Sequence, residues 1–153
     1  MSYEVLLTVH VAAAVLWVGG GISTILMAFR MKRAGSGSEM AAFAKNIEWL
    51  GKFYYTPLSL VALIFGILLV RQMESVTVSD FFVQYGLTGI VLTIAIGAGF
   101  LGPQSGRLGK LIDEKGFGAP EVQRLLARIL LVARIDSAML FSVVLVMALK
   151  PFS

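Results

Sequence analysis

The chain has no cysteine and only one histidine, and charged residues make up only 14% of its 153 positions. Without cysteine there are no disulfides, no thiol redox chemistry and no thiolate metal site. With a single imidazole, any bis-histidine ligation takes two copies of the chain or a partner protein. Too little charge is present to clothe a soluble domain of this size. The sequence also lacks the interleaved aromatic and basic residues of a nucleic-acid surface, and its net charge of +4 has another explanation, given below.

What is abundant is apolar: hydrophobic residues make up 58% of the chain, and the mean hydropathy is +0.85. That composition belongs to an integral membrane protein. A hydrocarbon layer about 30 Å thick needs roughly 20 apolar residues in a helix rising about 1.5 Å per residue. Four stretches meet this need, at about 5–29, 54–71, 82–101 and 125–149. The second is short in purely apolar residues, and Phe53, Tyr54 and Tyr55 extend it into the interface, where aromatic rings with polar tips favour the headgroup level. The first segment has Glu4 rather than a basic region in front of it, a run too long for a cleaved leader and no small-residue cleavage pattern. It reads as a permanent span. The expected fold is therefore an all-α, four-transmembrane-helix bundle forming a single domain over 1–153.

Orientation follows from where the basic residues fall. Arg30, Lys32, Arg33, Lys45 and Lys52 lie between the first two spans, and Arg107, Lys110, Lys115, Arg124 and Arg128 between the last two. The middle connection sets Arg71 against Glu74 and Asp80. The positive-inside rule then puts both termini outside and accounts for the net charge. The chain also divides into two halves of similar punctuation: a span, a basic glycine-containing segment (30–38, then 102–118), an amphipathic approach (39–52, then 121–128) and a second span. This predicts two helical hairpins of the same orientation, related by an axis along the membrane normal. Ser38-Glu39 is the expected cap of the second helix, and Pro120 is expected in the first turn of the last, where its missing N–H does no harm. The second and fourth helices are expected to project into the cytoplasm.

Few residues in such a chain can do chemistry, and an ionisable group inside a span is a functional candidate by default. His10 lies on the outer side of the first span, ahead of Trp17 and the Gly19-Gly20-Gly21 run. The glycines admit two readings, close helix approach or room for a flat macrocycle. In the last span Arg134 and Asp136 lie to the cytoplasmic side of the midplane. Two apart on a helix, they point in nearly opposite directions and cannot simply neutralise one another. Arg134 either snorkels to the cytoplasmic headgroups, with Asp136 protonated or bonded to Ser137, Thr93 or a neighbouring protomer, or both contact a ligand. Met147, at a depth close to that of His10, is a second soft donor; imidazole with thioether suits haem iron or Cu(I), and packing is the plainer role for a methionine.

These residues resemble a known family. His10-x6-Trp17-x-Gly19-Gly20 in the first span, Pro57-x8-Gly66 in the second, and Lys150-Pro151-Phe152 after an Arg- and acid-bearing last span are similar to the HemJ-type membrane proteins. Those are four-helix, haem-b-associated protoporphyrinogen oxidases, allied to the copper-resistance D proteins and to several uncharacterised bacterial membrane families. The resemblance implies a multi-pass protein of the bacterial cytoplasmic (inner) membrane that binds haem b or a porphyrin. Cofactor-binding residues would be His10, Trp17, Gly20, Arg134 and Asp136, with metal ligation by His10 and Met147. The chain departs from the family at the start of the third span, where the family lysine is replaced within Phe81-Phe82-Val83-Gln84-Tyr85, and in lacking the histidines after the first and third spans. It reads as a divergent relative, nearer the uncharacterised branch, with a possible oxidoreductase role. The alternative is a non-enzymatic component that handles copper or serves as an accessory subunit. The partners expected on either reading are membrane lipids and a homo-oligomer or larger membrane complex.

Overall fold

A computed structural model describes residues 1–149; the Lys150-Pro151-Phe152 motif lies outside the described residues. The elements in order are α1 (Tyr3–Ala34), α2 (Gly37–Leu50), a π-helical turn (Gly51–Tyr55), α3 (Thr56–Gln72), α4 (Phe81–Ile96), a second π-helical turn (Gly97–Leu101), α5 (Gly102–Lys115) and α6 (Pro120–Leu149). The chain makes four continuous rods: α1, α2 through α3, α4 through α5, and α6. Each is long and apolar enough to cross a membrane. The protein is a multi-pass, all-α membrane protein.

The rods run to 32, 36, 35 and 30 residues, so at about 1.5 Å per residue each exceeds a hydrocarbon layer of about 30 Å. The surplus lies on the side of the basic segments. There α2 and α5 pack side by side, with Ala41, Ala44, Leu108 and Ile112 buried between them and the ends of α1 and α6. In the apolar half α1 runs along α3 and α4 along α6, and contact between the two pairs is sparse. Exposed apolar side chains mark the lipid belt, which at the edge nearer the basic segments begins near Met27, Phe53 and Leu131.

Helix ends show ordinary chemistry with two departures from expectation. Gly35, at φ 71°, closes α1 in the left-handed region, and its N–H bonds the Met31 carbonyl. Pro120 opens α6 as expected. The second rod, however, begins at Gly37 with Ser36 at the cap position and no side-chain cap bond, so Ser38-Glu39 does not cap it. The segment at 102–118 read as a glycine-containing connection is mostly α5, because Pro103 falls in the first turn of a helix that continues α4.

The two π turns are built alike. Each opens on a glycine and is followed by a proline: Gly51 with Pro57, and Gly97 with Pro103. The Thr56 N–H reaches back five residues to the Gly51 carbonyl and the Gly102 N–H to the Gly97 carbonyl. The Thr56 hydroxyl adds a second donor to Gly51 O at 2.8 Å. A proline supplies no N–H to continue an α ladder, so the helix widens by one residue where that donor is missing. The turns meet: a Cβ on Gly51 would lie 3.9 Å from the Gly102 Cα. These matched irregularities sit on the two middle rods, which run in opposite directions, rather than on the rods that an axis along the membrane normal would pair.

Candidate functional site

The sparse packing between the two helix pairs leaves a cavity of about 150 Å³ where the apolar half meets the half that carries the basic segments. Its walls are mainly apolar, with Trp17, Ile25, Phe43, Ile94, Leu130 and Leu140 among them, and both π turns contribute Gly51, Tyr55, Gly97 and Leu101. Polar groups enter from every rod. Most are already satisfied: the Thr24 and Tyr55 hydroxyls bond each other at 2.6 Å, and Ser59 donates to the Thr56 carbonyl at 2.8 Å.

Two groups are not. Asp136 on α6 is 8% exposed and Thr93 on α4 is 3% exposed, and they stand beside one another on the cavity wall. Asp136 Oδ1 and Thr93 Oγ1 are both sealed from solvent, and neither makes a hydrogen bond of good geometry within the chain. A buried polar group left in that state costs about 1–3 kcal/mol. Leu131, five residues earlier on α6, is already in the lipid belt, so Asp136 lies roughly 8 Å inside the boundary on the side of the basic segments.

The other residues singled out from sequence occupy different places. Trp17 is buried and lines the same cavity as Asp136. His10, one turn pair further out on the same stripe of α1, does not line it. Its Nδ1 lies 2.8 Å from the Ala62 carbonyl, and since a carbonyl only accepts, Nδ1 carries the proton. The ring rests against Gly66, where a Cβ would come within 3.0 Å of Cε1. His10 therefore ties α1 to α3 across a notch that only glycine leaves open. Met147 is half-buried on the opposite helix pair, its methyl group seated in the space left by Gly86 of α4.

Gly20 makes room for tyrosines: a Cβ there would approach Tyr54 Cε1 at 3.1 Å and Tyr55 Cε1 at 3.3 Å. The Tyr54 hydroxyl in turn donates to the Leu16 carbonyl at 3.2 Å. Arg134 and Asp136 diverge as their spacing requires. The Arg134 Nε donates to the Leu130 carbonyl at 3.3 Å, one turn towards the basic segments, and its guanidinium lies 5.6 Å above the Phe29 ring. It snorkels along the outside of the bundle and stays out of the cavity.

Tested against haem b or a copper ion, this arrangement does not assemble a site within one chain. His10 faces α3, Met147 faces α4, and Trp17 and Asp136 face a cavity that neither of them reaches. At about 150 Å³ that cavity is also below the roughly 300–1,000 Å³ usual for pockets that take larger ligands. Among the described residues no three His, Asp or Glu side chains cluster as a metal site.

Sequence reading named Thr93 among several partners open to Asp136, and it missed the π turns. The twin Gly-x5-Pro pattern was the available signal for the turns. Comparison with protein-family models, with curated proteins and with solved structures finds no match for this chain.

Proposed function

We propose that this chain is a multi-pass protein of the bacterial cytoplasmic membrane that takes a small, mainly apolar molecule carrying a protonated amine into the cavity between its two halves. The observation that carries the reading is the Asp136 carboxyl, held next to Thr93 on an apolar wall with an oxygen unbonded. A charge-bearing group retained inside a membrane bundle with an oxygen left unbonded is costly, and such groups mark ligand or ion sites. The apolar walls suit the body of the ligand, the Trp17 ring offers a π face to its cation, and Asp136 with Thr93 supplies acceptors for its N–H groups.

Thermal unfolding of the purified protein tests this with short-chain alkylamines against alcohols of the same length. The amines should raise the melting temperature, by an amount equivalent to about 2.7 kcal/mol at a hundred times Kd, the alcohols should not, and Asp136→Asn should abolish the shift. Equal stabilisation by amine and alcohol, or no stabilisation by any amine, refutes the proposal.

One observation favours a second reading, in which haem, a porphyrin or copper is handled through His10. An imidazole whose Nδ1–H is fixed on a backbone carbonyl keeps its Nε2 lone pair oriented, as metal-bound histidines do. With one histidine in the chain, the second ligand would come from another copy or another protein. Protein purified from haem-replete cells should then show a Soret band or bound copper that His10→Ala removes. A preparation with neither haem nor copper by absorption and elemental analysis ends this reading.

A further inference from the structure

The cytoplasmic side of the bundle carries a second concavity, remote from the cavity of Asp136. Arg107 and Leu111 of α5 and Glu121, Arg124, Leu125 and Arg128 of α6 line one groove of about 320 Å³ on the outer face of the bundle. The spacings, i and i+4 on α5 and i, i+3, i+4, i+7 on α6, place every member on one stripe of its helix, so two helices present their basic stripes to the same hollow.

The charges in this groove are unevenly answered. Glu121 is paired with Lys115, and elsewhere on this side Lys45 is paired with Asp113 and Lys52 with Glu48. Among the described residues Arg107, Arg124 and Arg128 form no ion pair. The groove's one carboxylate is taken by Lys115, and three guanidiniums converge on the hollow with no ion pair of their own. The positive-inside rule accounts for basic residues on this side of the membrane, but it asks neither for arginine nor for convergence on a hollow.

Position supplies the second argument. On α6 the exposed apolar surface starts at Leu131, three residues beyond Arg128 and so about 4.5 Å along the axis. Exposed Trp49 and Phe53, their rings 5.3 Å apart, lie where the second rod enters the same boundary. The groove thus begins at the headgroup level and extends roughly 10 Å towards the cytoplasm, from Arg128 to Glu121. Leu111 and Leu125 give its floor apolar surface of the kind that the glycerol end of a lipid can rest on.

We infer that this groove binds the phosphate of an anionic phospholipid of the inner leaflet. Guanidinium forks match phosphate oxygens in pairs, and basic pockets between helices at the cytoplasmic boundary are suited to phosphate-bearing headgroups. The three arginines hold the phosphate, and Lys115 keeps the groove's one carboxylate occupied.

The test uses the full chain in detergent, with binding followed by native mass spectrometry and thermal unfolding. The probes are phosphatidylglycerol and cardiolipin, phosphatidylcholine as the zwitterionic control, and inorganic phosphate alone. The two anionic lipids should bind and raise the melting temperature, phosphatidylcholine should not, and millimolar inorganic phosphate should neither stabilise nor displace them. Replacing Arg107, Arg124 and Arg128 together with Gln should weaken anionic-lipid binding by at least about tenfold. Arg30→Gln with Arg33→Gln, which removes charge from the same side of the membrane outside the groove, should change it less than about twofold. An equal loss from both sets of variants would show a diffuse basic face and overturn the inference. Stabilisation by inorganic phosphate alone, lost in the triple variant, would assign the groove to a soluble phosphate compound and overturn the lipid source. Binding that survives the triple variant, with the fold intact by circular dichroism, would overturn the site itself.

Discussion

The two ends of the same four helices are held together by different means. The end that carries the basic segments, expected to be cytoplasmic, has a buried cluster of ten residues, among them Met40 at 1%, Val122 at 0% and Leu126 at 2% exposure. The membrane end has a cluster of five, two of which are alanines. In water, burying a large apolar side chain is rewarded by its removal from solvent. In lipid that reward is absent, so association falls to close packing of small residues and to hydrogen bonds between helices. The membrane half shows these devices: His10 on the Ala62 carbonyl, Tyr85 with Ser142 at 2.8 Å, and Gly86 and Gly89 receiving Met147 and Val143. The cytoplasmic half is built like a small soluble bundle, and the difference shows where each half is vulnerable.

The comparison breaks outright if the orientation is reversed. Reporters fused to either end of the chain should both read as outside; a cytoplasmic reading at both ends would put the ten-residue cluster on the wrong side of the membrane and remove the basis for the contrast.

Next in size, Leu126→Ala in the cytoplasmic cluster should cost about 2–5 kcal/mol, read as a large drop in melting temperature. Leu140→Ala in the membrane cluster, tested in bilayer-like nanodiscs, should cost well under that, because the deleted methyls lose packing but gain no exposure to water. Equal losses would show that lipid does not discriminate the two cores.

Asp136→Leu should raise stability by about 1–3 kcal/mol, since it replaces an unsatisfied buried carboxyl by an apolar group of similar size. Stability given up at a site in this way is the signature of function. A fall in melting temperature would instead make Asp136 a structural bond of the membrane half.

The smallest effect is expected at Arg134. Its guanidinium lies on Phe29 at the lipid-facing side, a contact worth roughly 0.5–1 kcal/mol at an exposed site. Arg134→Leu should lower the melting temperature slightly and leave amine binding unchanged; loss of amine binding would move Arg134 into the site.

How far this could be read in advance depended on the kind of information involved. The four spans and their basic flanks were visible because hydropathy and charge are properties of consecutive residues. The continuation of α4 into α5 was not, because Gly102-Pro103 is ordinarily punctuation and only the wide turn before it lets the rod run on. His10 stood out as an intramembrane imidazole, but its partner is a backbone carbonyl, which no residue identity announces. Trp17 and Asp136 were singled out separately, and their meeting in one cavity depends on two helix pairs standing apart, a tertiary fact. Gly20 was ambiguous between helix packing and room for a ring system; the rings it accommodates are those of Tyr54 and Tyr55.

The paired π turns have a consequence for how the two halves can vary. An α-helix advances about 100° per residue, and a turn widened to hold one extra residue offsets the sequence phase of everything beyond it by about that angle while the rod runs straight on. The lipid-facing stripe of α3 and the water-facing stripe of α2 therefore need not share one helical phase, nor need those of α4 and α5, and each can be set for its own solvent. Restoring ordinary winding across Gly97–Leu101 with every residue kept would swing the face of α5 by about 100° away from α2 while leaving α4 against α6. The turns act as phase adjusters between two solvents, and the cavity lies where both adjustments are made.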